Sequence, residues 1–261
     1  MAAEPEELQL FLEGFCMSVS RTLAVSVICA TAAVGIAGCS DDASSDQPFQ
    51  GQSADQVAAK AVTATRNATS LRMAGKVSAQ GQPLTVDFHV DTQKNCKGRM
   101  AMESGSADVI HTGQTTYVKG DKKFWAGAAQ DSSGGRKQAE ALGGRWVKVP
   151  VGDSRTTGLC DKQGFLADLD SDKSERKGMK KGDVTTVDGR KAIALKKKKG
   201  SGETIVMYVA TEGKPYILKV DQSGGKSPGT VVFSDYGKPV KATPPPADKV
   251  IDGTKAGKTA S

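Results

Sequence analysis

The feature that most constrains the fold of this chain is a period of two in its apolar residues. It is clearest in residues 84–91, where Leu84, Val86, Phe88 and Val90 alternate with polar residues. Because successive side chains of a strand point to opposite faces of a sheet, this segment predicts a strand with one buried and one solvated side. A chain built from such strands must cover one face of its sheet.

Similar short segments occur through most of the sequence and are separated by turns rich in glycine and proline. Asp188-Gly189 predicts a type I′ hairpin turn between two of them. Together they predict about ten antiparallel strands with few helices. The predicted strands cover residues 71–79, 84–91, 98–103, 107–111, 115–119, 146–149, 184–187, 191–196, 204–210, 216–221 and 229–235.

Helical patterns are confined to two parts of the chain. Ser53 and Gln56 form a capping-box sequence, which predicts that a helix begins there and runs over about residues 54–69. The section 121–181 contains fewer β-branched residues, and within it 137–142 and 164–170 predict short helices. We expect these pieces to cover one side of the sheet.

The N-terminal region has the order of segments that is typical of a secretory signal. Arg21 precedes a mainly apolar run over 23–36, which is shorter than the roughly 20 residues needed to cross a bilayer. We therefore expect residues 17–38 to be a signal peptide that is removed. Four glutamates within residues 1–16 do not suit the start of a signal, so Met17 is predicted to be the true first residue.

The segment Ile36-Ala37-Gly38-Cys39 resembles the lipobox of bacterial lipoproteins. That resemblance implies that the Cys39 sulfur carries a diacylglycerol, with acyl chains such as palmitate, and that Cys39 begins the mature protein. An ordinary signal peptide with an incidental cysteine is the alternative. Residues 39–52 are polar and acidic and predict a flexible tether, 53–252 form the predicted domain, and 253–261 predict a disordered tail.

Composition limits the classes of partner. Residues 1–38, the expected leader, contain four glutamates and one arginine. The remaining chain is therefore more basic than the whole chain, whose net charge is +7. For an exported protein this charge favours an anionic membrane surface or acidic wall polymers. Nucleic acid is not an expected partner, because the basic residues do not alternate with aromatic residues that could stack on bases. We expect a monomer.

Cys96 and Cys160 are the two cysteines left after the leader and Cys39 are set aside. A disulfide between them is the simplest prediction for an exported chain. Such a bond closes a loop of 64 residues, for which chain entropy gives about 4 kcal/mol of stabilisation. Two unpaired buried thiols are the alternative. No metal site or cofactor is predicted, because no CxxC motif is present and the two histidines are isolated.

The sequence contains no arrangement that is typical of an active site. It has no GxSxG, HExxH or phosphate-binding glycine loop. His89 is predicted on the polar face of its strand and His111 at a strand end, and we expect neither histidine to meet a nearby carboxylate in one cleft. The chain is therefore not predicted to be an enzyme.

A run of lysines, Lys196, Lys197, Lys198 and Lys199, lies between two predicted strands. It suits a solvated hairpin tip. It also suits a contact with anionic lipid headgroups, where each lysine contributes about 1 kcal/mol near the surface.

Two predicted strands, 192–195 and 205–209, are apolar on both faces. Such strands are covered on both sides. Either helices pack there against a closed core, or a hydrophobic cavity lies between a curved sheet and its helices, with methionines as an adaptable lining. Strand parity predicts the following cavity lining: Met73, Val86, Phe88, Val90, Met100, Met102, Ile193, Leu195, Met207, Leu218 and Phe233.

The order of these elements resembles the actinobacterial lipoproteins of the LppX/LprG type and, more distantly, the LolA lipoprotein carriers. The resemblance rests on the lipobox, the helix near Ser53, the long meander and a C-terminal series of turn and strand signatures. That series comprises Val187-Asp-Gly-Arg190, Tyr208-Val-Ala210, Gly213-Lys-Pro-Tyr216 and Val232-Phe-Ser-Asp-Tyr-Gly237.

The resemblance implies an α+β, mainly antiparallel fold in which a curved half-barrel sheet has helices across its concave face. It also implies a membrane-anchored extracytoplasmic lipoprotein that carries a lipid or glycolipid in the cavity and exchanges it with an acceptor or transporter protein. The alternative is a non-enzymatic interaction or sensing module of the same fold, which docks a membrane protein without moving lipid.

Overall fold

The computed structural model of the 261-residue chain describes residues 48–79, 81–113, 115–128, 135–149, 158–164, 166, 176–200, 202–225 and 228–253. The predicted signal peptide, Cys39 and the predicted tail after Gly253 lie outside these residues, as does most of the tether. From Gly51 onward the described residues belong to one compact unit. Within the described part of the chain, no helix is both long and apolar enough to cross a membrane.

Helix α1 spans Ala54–Arg66 and begins at the predicted capping box. The Gln56 backbone N–H donates to Ser53 Oγ at 3.2 Å, and the Ser53 N–H donates to Gln56 Oε1 at 2.8 Å. Two of the four backbone donors at the helix start are thereby satisfied. Two shorter helices follow in the middle section, α2 over Lys122–Ala128 and α3 over Gly135–Leu142.

Twelve strands form a single sheet among the described residues, in the order β12-β6-β5-β4-β3-β2-β1-β11-β10-β9-β8-β7. All neighbouring pairs are antiparallel except β12 and β6. The strands are β1 Ser70–Ala79, β2 Gln82–Asp91, β3 Cys96–Met102, β4 Gly105–Thr112, β5 Thr115–Gly120, β6 Trp146–Val149, β7 Lys180–Val187, β8 Arg190–Lys198, β9 Thr204–Ala210, β10 Ile217–Ser223, β11 Gly229–Ser234 and β12 Val250–Asp252. The predicted antiparallel, curved and unclosed architecture is confirmed.

Three details differ from the prediction. The sheet has twelve strands where about ten were expected, and only β12, which adds three residues at one edge, has no counterpart among the predicted segments. Helix α2 was not predicted, although Asp121 caps it by accepting a hydrogen bond from the Phe124 N–H at 2.8 Å. The predicted helix over 164–170 lies mostly outside the described residues.

The two halves of the meander meet at the pairing of β1 with β11, which places Met73 opposite Phe233. On its other side β1 pairs with β2, which places Met73 opposite Phe88. The predicted type I′ turn is present between β7 and β8, since Asp188 has φ of 46° and Gly189 has φ of 77°. The sequence-local features therefore agree with the long-range register.

Candidate functional site

Helices α1 and α2 lie on the same face of the curved sheet, here named the concave face, and its residues follow from the register. Starting from the row Phe233, Met73 and Phe88, alternation places Val86, Val90 and their cross-strand partners on the same side. Helix α1 packs against β7, β9 and β10 on this side, where the Ile217 N–H donates to its Thr65 Oγ1 at 3.0 Å. Helix α2 lies against β4 and β5.

Phe88 shows how closely this face is packed. It is 1 % exposed, and its ring extends across Gly98 of β3, where a Cβ would collide with the ring. Position 98 therefore requires a glycine. The contact is close because Phe88 and Gly98 are paired across the two strands. A larger residue at this position would displace Phe88, one of the largest side chains of the concave core.

All of the predicted lining residues except Leu218 lie on the concave face. Met102 is partly exposed, whereas the others are between 0 and 9 % exposed. The register thus brings together side chains from β1, β2, β3, β8, β9 and β11. Burial places these residues in a shared apolar layer, while a cavity along them stays a prediction.

Leu218 is placed differently, and the reason is a bulge. The register between β9 and β10 shifts between Ile217 and Lys219, so one extra residue stands in β10. Leu218 packs in a separate cluster with Val187, Ala192 and Ala210 on the convex face. The placement of Leu218 by simple alternation is therefore corrected.

The concave face has an open end that the sequence analysis did not single out. It consists of five partly exposed apolar residues, here named the open floor: Val77, Leu84, Ile205, Val220 and Val231. Val77 pairs with Leu84, and Val220 pairs with Val231. The alternation in residues 84–91 already marked Leu84 as concave, but only the register brings the five residues together.

At the opposite end of the concave face lies a segment made of residues 158–164 and Leu166. The predicted disulfide between Cys96 and Cys160 is present and fixes this segment to β3. Lys162 is 1 % exposed, and its Nζ donates to the carbonyl oxygens of Arg66 and Ala68, each at 2.7 Å. The ammonium therefore caps the C-terminal end of α1, and burial lowers the pKa of Lys162 below its usual value.

The four lysines 196–199 do not form one patch. Alternation along β8 separates Lys196 and Lys198, which are exposed, from Lys197. Lys199 forms an ion pair with Glu203 at 3.0 Å. Lys196 instead faces Lys180 of β7 across the register. A contact between this surface and anionic headgroups would therefore use lysines of both β7 and β8.

The histidines lie on opposite faces. His111 is on the concave side, where its Nδ1 shares a hydrogen bond of 2.7 Å with Thr116 Oγ1, and burial lowers its pKa. His89 is on the convex side, and its Nε2 lies 3.5 Å from Asp235 Oδ2. Asp235 lines a cleft whose lining does not include His89, so the expectation that neither histidine meets a nearby carboxylate in one cleft stays a prediction.

Among the described residues, no hydrogen bond extends this pair to a nucleophile. Ser234 is the hydroxyl residue next to Asp235, but Arg72 of β1 stands between Ser234 and His89 in the register. Lys238 Nζ, at 2.5 Å from Asp235 Oδ1, lowers the pKa of that carboxyl. The arrangement is a surface ion network rather than a hydrogen-bonded serine, histidine and aspartate.

The cleft beside Asp235 is here named the tyrosine cleft. Its volume is about 410 Å³, and it lies where the β7–β8 turn meets the start of β10 and the end of β11. It is lined by Val187, Asp188, Arg190, Tyr216, Leu218, Phe233, Ser234, Asp235, Tyr236 and Lys238. The concave lining predicted from the sequence contributes only Leu218 and Phe233 to it.

Comparisons with known proteins support the fold. Neither a family model nor the sequence of a curated protein matches the chain. LprF from Mycobacterium bovis superposes with a TM-score of 0.52 at 14 % identity, covering 74 % of this chain and 96 % of LprF. The Mycobacterium tuberculosis lipoprotein LppX gives a TM-score of 0.46 at 13 % identity, covering 72 % and 98 %. At these identities the likeness to LprF shows the fold alone, and at that level the predicted resemblance is confirmed.

Proposed function

We propose that this chain is a membrane-anchored extracytoplasmic lipoprotein that binds a lipid or acyl-chain ligand on the concave face and carries it within the cell envelope. The open floor is the observation that carries the proposal. It leaves apolar side chains in contact with solvent beside a buried apolar layer, on the face that the helices border. An acyl chain laid on it would remove that apolar surface from water.

The chemistry of the neighbouring layer suits an acyl chain. Met73, Met100 and Met207 lie on the concave face, and their unbranched thioethers adapt to ligands of different shape. One end of the layer is fixed by the disulfide and by Lys162. Entry would therefore take place at the open floor rather than beneath residues 158–164.

Anchoring is proposed from the sequence of residues 36–39. Two acyl chains on Cys39 would hold the protein at a membrane more firmly than one chain. The exposed Lys180, Lys196 and Lys198 would then contact anionic headgroups. Changing all three to glutamine is expected to weaken co-sedimentation with anionic vesicles, and unchanged co-sedimentation would remove the membrane contact from the proposal.

The ligand is tested on the full chain carrying Cys39→Ala, purified without detergent and measured by native mass spectrometry. We expect a fraction of the protein to carry an additional mass that organic extraction identifies as lipid. Leu84→Asp should reduce that fraction, because it places a charge on the open floor. Thr85→Asp is the matched control, since Thr85 is exposed on the convex face of the same strand.

A second candidate function is a docking module that moves no lipid. It is favoured by the burial of Phe88 and Leu195, which are 1 % and 0 % exposed and so are already covered by protein. A wild-type protein that carries no lipid, and that takes up no acyl-chain probe from vesicles, would contradict the carrier and support this candidate. Loss of the carried lipid in Thr85→Asp as well as Leu84→Asp would contradict the open floor as the binding surface.

A further inference from the structure

The tyrosine cleft is separate from the open floor and has the composition of a small binding site. Three of the four tyrosines of the chain, Tyr208, Tyr216 and Tyr236, pack around one apolar cluster at the same end of the sheet. The cleft volume of about 410 Å³ falls within the range of small-molecule sites. The tyrosine rings pack against Val187, Ala192, Ala210 and Leu218.

The aromatic wall of the cleft is rigid. The rings of Tyr216 and Tyr236 are stacked, with centroids 4.0 Å apart and planes 3° apart. The Tyr236 hydroxyl donates to the Ile217 carbonyl oxygen, which fixes the ring at the β10 bulge. Both tyrosines are partly exposed, so the pair offers a prearranged apolar surface to a ligand.

Charged groups stand at the rim of the cleft. Arg190 follows the β7–β8 turn and is exposed, and among the described residues no ion pair engages its guanidinium. It lies near enough to Tyr236 for its charge to oppose the rise that burial causes in the pKa of the phenol. Lys238, by contrast, is held by Asp235. Arg190 is therefore the cation available to an anion in the cleft.

The backbone around the cleft argues against an extended peptide. Strand β10 is hydrogen-bonded to both β9 and β11, and β11 is hydrogen-bonded to both β10 and β1. Among the described strands that line the cleft, only β7 is at an edge of the sheet, and it contributes only its last residue, Val187, which leaves too short an edge for an extended peptide to add main-chain hydrogen bonds. A ligand must instead be recognised by side chains, namely aromatic faces, a guanidinium, carboxylates and the Ser234 hydroxyl.

We propose that the tyrosine cleft binds a sugar ring that carries an anionic substituent. The apolar C–H face of the ring lies against a tyrosine, the anionic group pairs with Arg190, and the ring hydroxyls donate to Asp188 and bind Ser234. Guanidinium pairs with carboxylate and phosphate groups through two parallel hydrogen bonds, so both substituents satisfy the same site. This site does not depend on the concave face or on lipid binding there.

The test is a titration of the ¹⁵N-labelled full chain carrying Cys39→Ala, followed by NMR. The probes are methyl glucuronide, glucose 6-phosphate and neutral methyl glucoside. We expect saturable shifts of the Arg190, Tyr216 and Tyr236 amides with both anionic probes, and an affinity about tenfold lower for the neutral probe. A response to only one of the two anionic probes shows whether the site binds a carboxylate or a phosphate, and it supports the proposed site.

Two variants and one control separate the roles. Arg190→Gln should weaken the anionic probes about tenfold and leave methyl glucoside unchanged. Tyr216→Leu should weaken all probes. Arg145→Gln is the matched control, because Arg145 is likewise an exposed arginine but lies before β6. Since Arg190 is exposed, its variant remains folded and interpretable even if Tyr216→Leu disturbs the tyrosine pair.

Three outcomes would overturn the proposal. The first is that none of the sugars produces saturable shifts of the cleft amides. The second is equal weakening by Arg190→Gln and Arg145→Gln, which would show a diffuse charge effect. The third is binding of an acidic peptide at the same amides without binding of the sugars, which would assign the cleft to a protein partner.

Discussion

The two faces of the sheet are built from the same strands but are stabilised differently. On the concave face, Phe88 and Leu195 are 1 % and 0 % exposed. On the convex face, Arg72 pairs with Asp87 at 2.6 Å and Lys219 pairs with Asp221 at 2.8 Å, all at partly exposed positions. Alternation therefore assigns apolar burial to one face and ion pairs to the other, and burial contributes the larger share of stability.

The tyrosine cleft is the exception on the convex face. There Leu218 and three tyrosines form an apolar cluster among charged neighbours. If each face acts as described, substitutions should cost most where the concave layer is fixed, less at the tyrosine cluster and least at the exposed ion pairs. The predictions that follow test this order.

Removal of the disulfide should have the largest effect. We expect Cys96→Ala with Cys160→Ala to lower the free energy of unfolding by about 4 kcal/mol, because the loop of 64 residues is no longer closed in the unfolded chain. Urea denaturation of the double variant measures the loss. Cys39→Ala, which keeps both disulfide cysteines, is the reference. A loss no larger than that of the reference would show that the disulfide does not stabilise the concave end.

The buried ammonium of Lys162 should come next. Lys162→Met keeps the apolar stem but leaves two carbonyl oxygens of the α1 end without a donor, which should cost about 1–3 kcal/mol. Lys94→Met is the control, since Lys94 is exposed and pairs only at 3.8 Å with Asp161. Equal losses in both variants would contradict the capping role.

The same lysine predicts a pH dependence. Burial lowers the pKa of Lys162 in the folded protein, so between that lowered value and the ordinary lysine value of about 10.4 the unfolded chain binds more protons. Stability relative to Lys162→Met should therefore rise with pH across this window. A difference that stays constant or falls would show that the ammonium is not desolvated.

Tyr236→Phe should have a smaller effect, about 1 kcal/mol at neutral pH, because it removes the hydrogen bond to Ile217. Burial raises the pKa of Tyr236, so above the usual tyrosine value of about 10 the unfolded chain loses its proton first and the wild type loses stability. The gap between wild type and variant should therefore shrink in alkaline solution. Tyr117→Phe serves as the control, and a gap that widens would contradict burial of the hydroxyl.

The ion pair of Arg72 and Asp87 should contribute least. A double-mutant cycle with Arg72→Met and Asp87→Asn is expected to give a coupling of about 0.5 kcal/mol, since both side chains are nearly half exposed. The Arg72 hydrogen bond lowers the pKa of Asp87. The coupling should therefore be present above the usual aspartate value and disappear as pH falls through the lowered one. A coupling as large as the Lys162 effect would overturn the assigned order.

The sequence predicted well those elements whose signal is local. The capping box located the start of α1, alternation located β2, and Asp188-Gly189 gave the hairpin turn. Helix α2 was missed because its seven residues show no apolar period, although Asp121 at its start was a usable signal. Strand β12 has only three residues, too few to show a period of two.

For the candidate site, the alternation of side chains along each strand assigned every predicted lining residue except Leu218 to the correct face of the sheet. The bulge that turns Leu218 to the convex face depends on the pairing of β10 with β9, and no residue in β10 indicates it. The open floor and the tyrosine cleft were not predicted, because their members come from strands that are distant in sequence. His89 likewise meets Asp235 only through the sheet order.

The sequence by itself thus determined the strands, their turns and the side of each strand that avoids water, because alternation and turn chemistry act between neighbouring residues. The tertiary structure alone decided which strands pair, in which register and with which bulge. Those choices depend on backbone hydrogen bonds between distant segments, and every backbone donor and acceptor looks alike in a sequence. The open floor and the tyrosine cleft are consequences of that pairing.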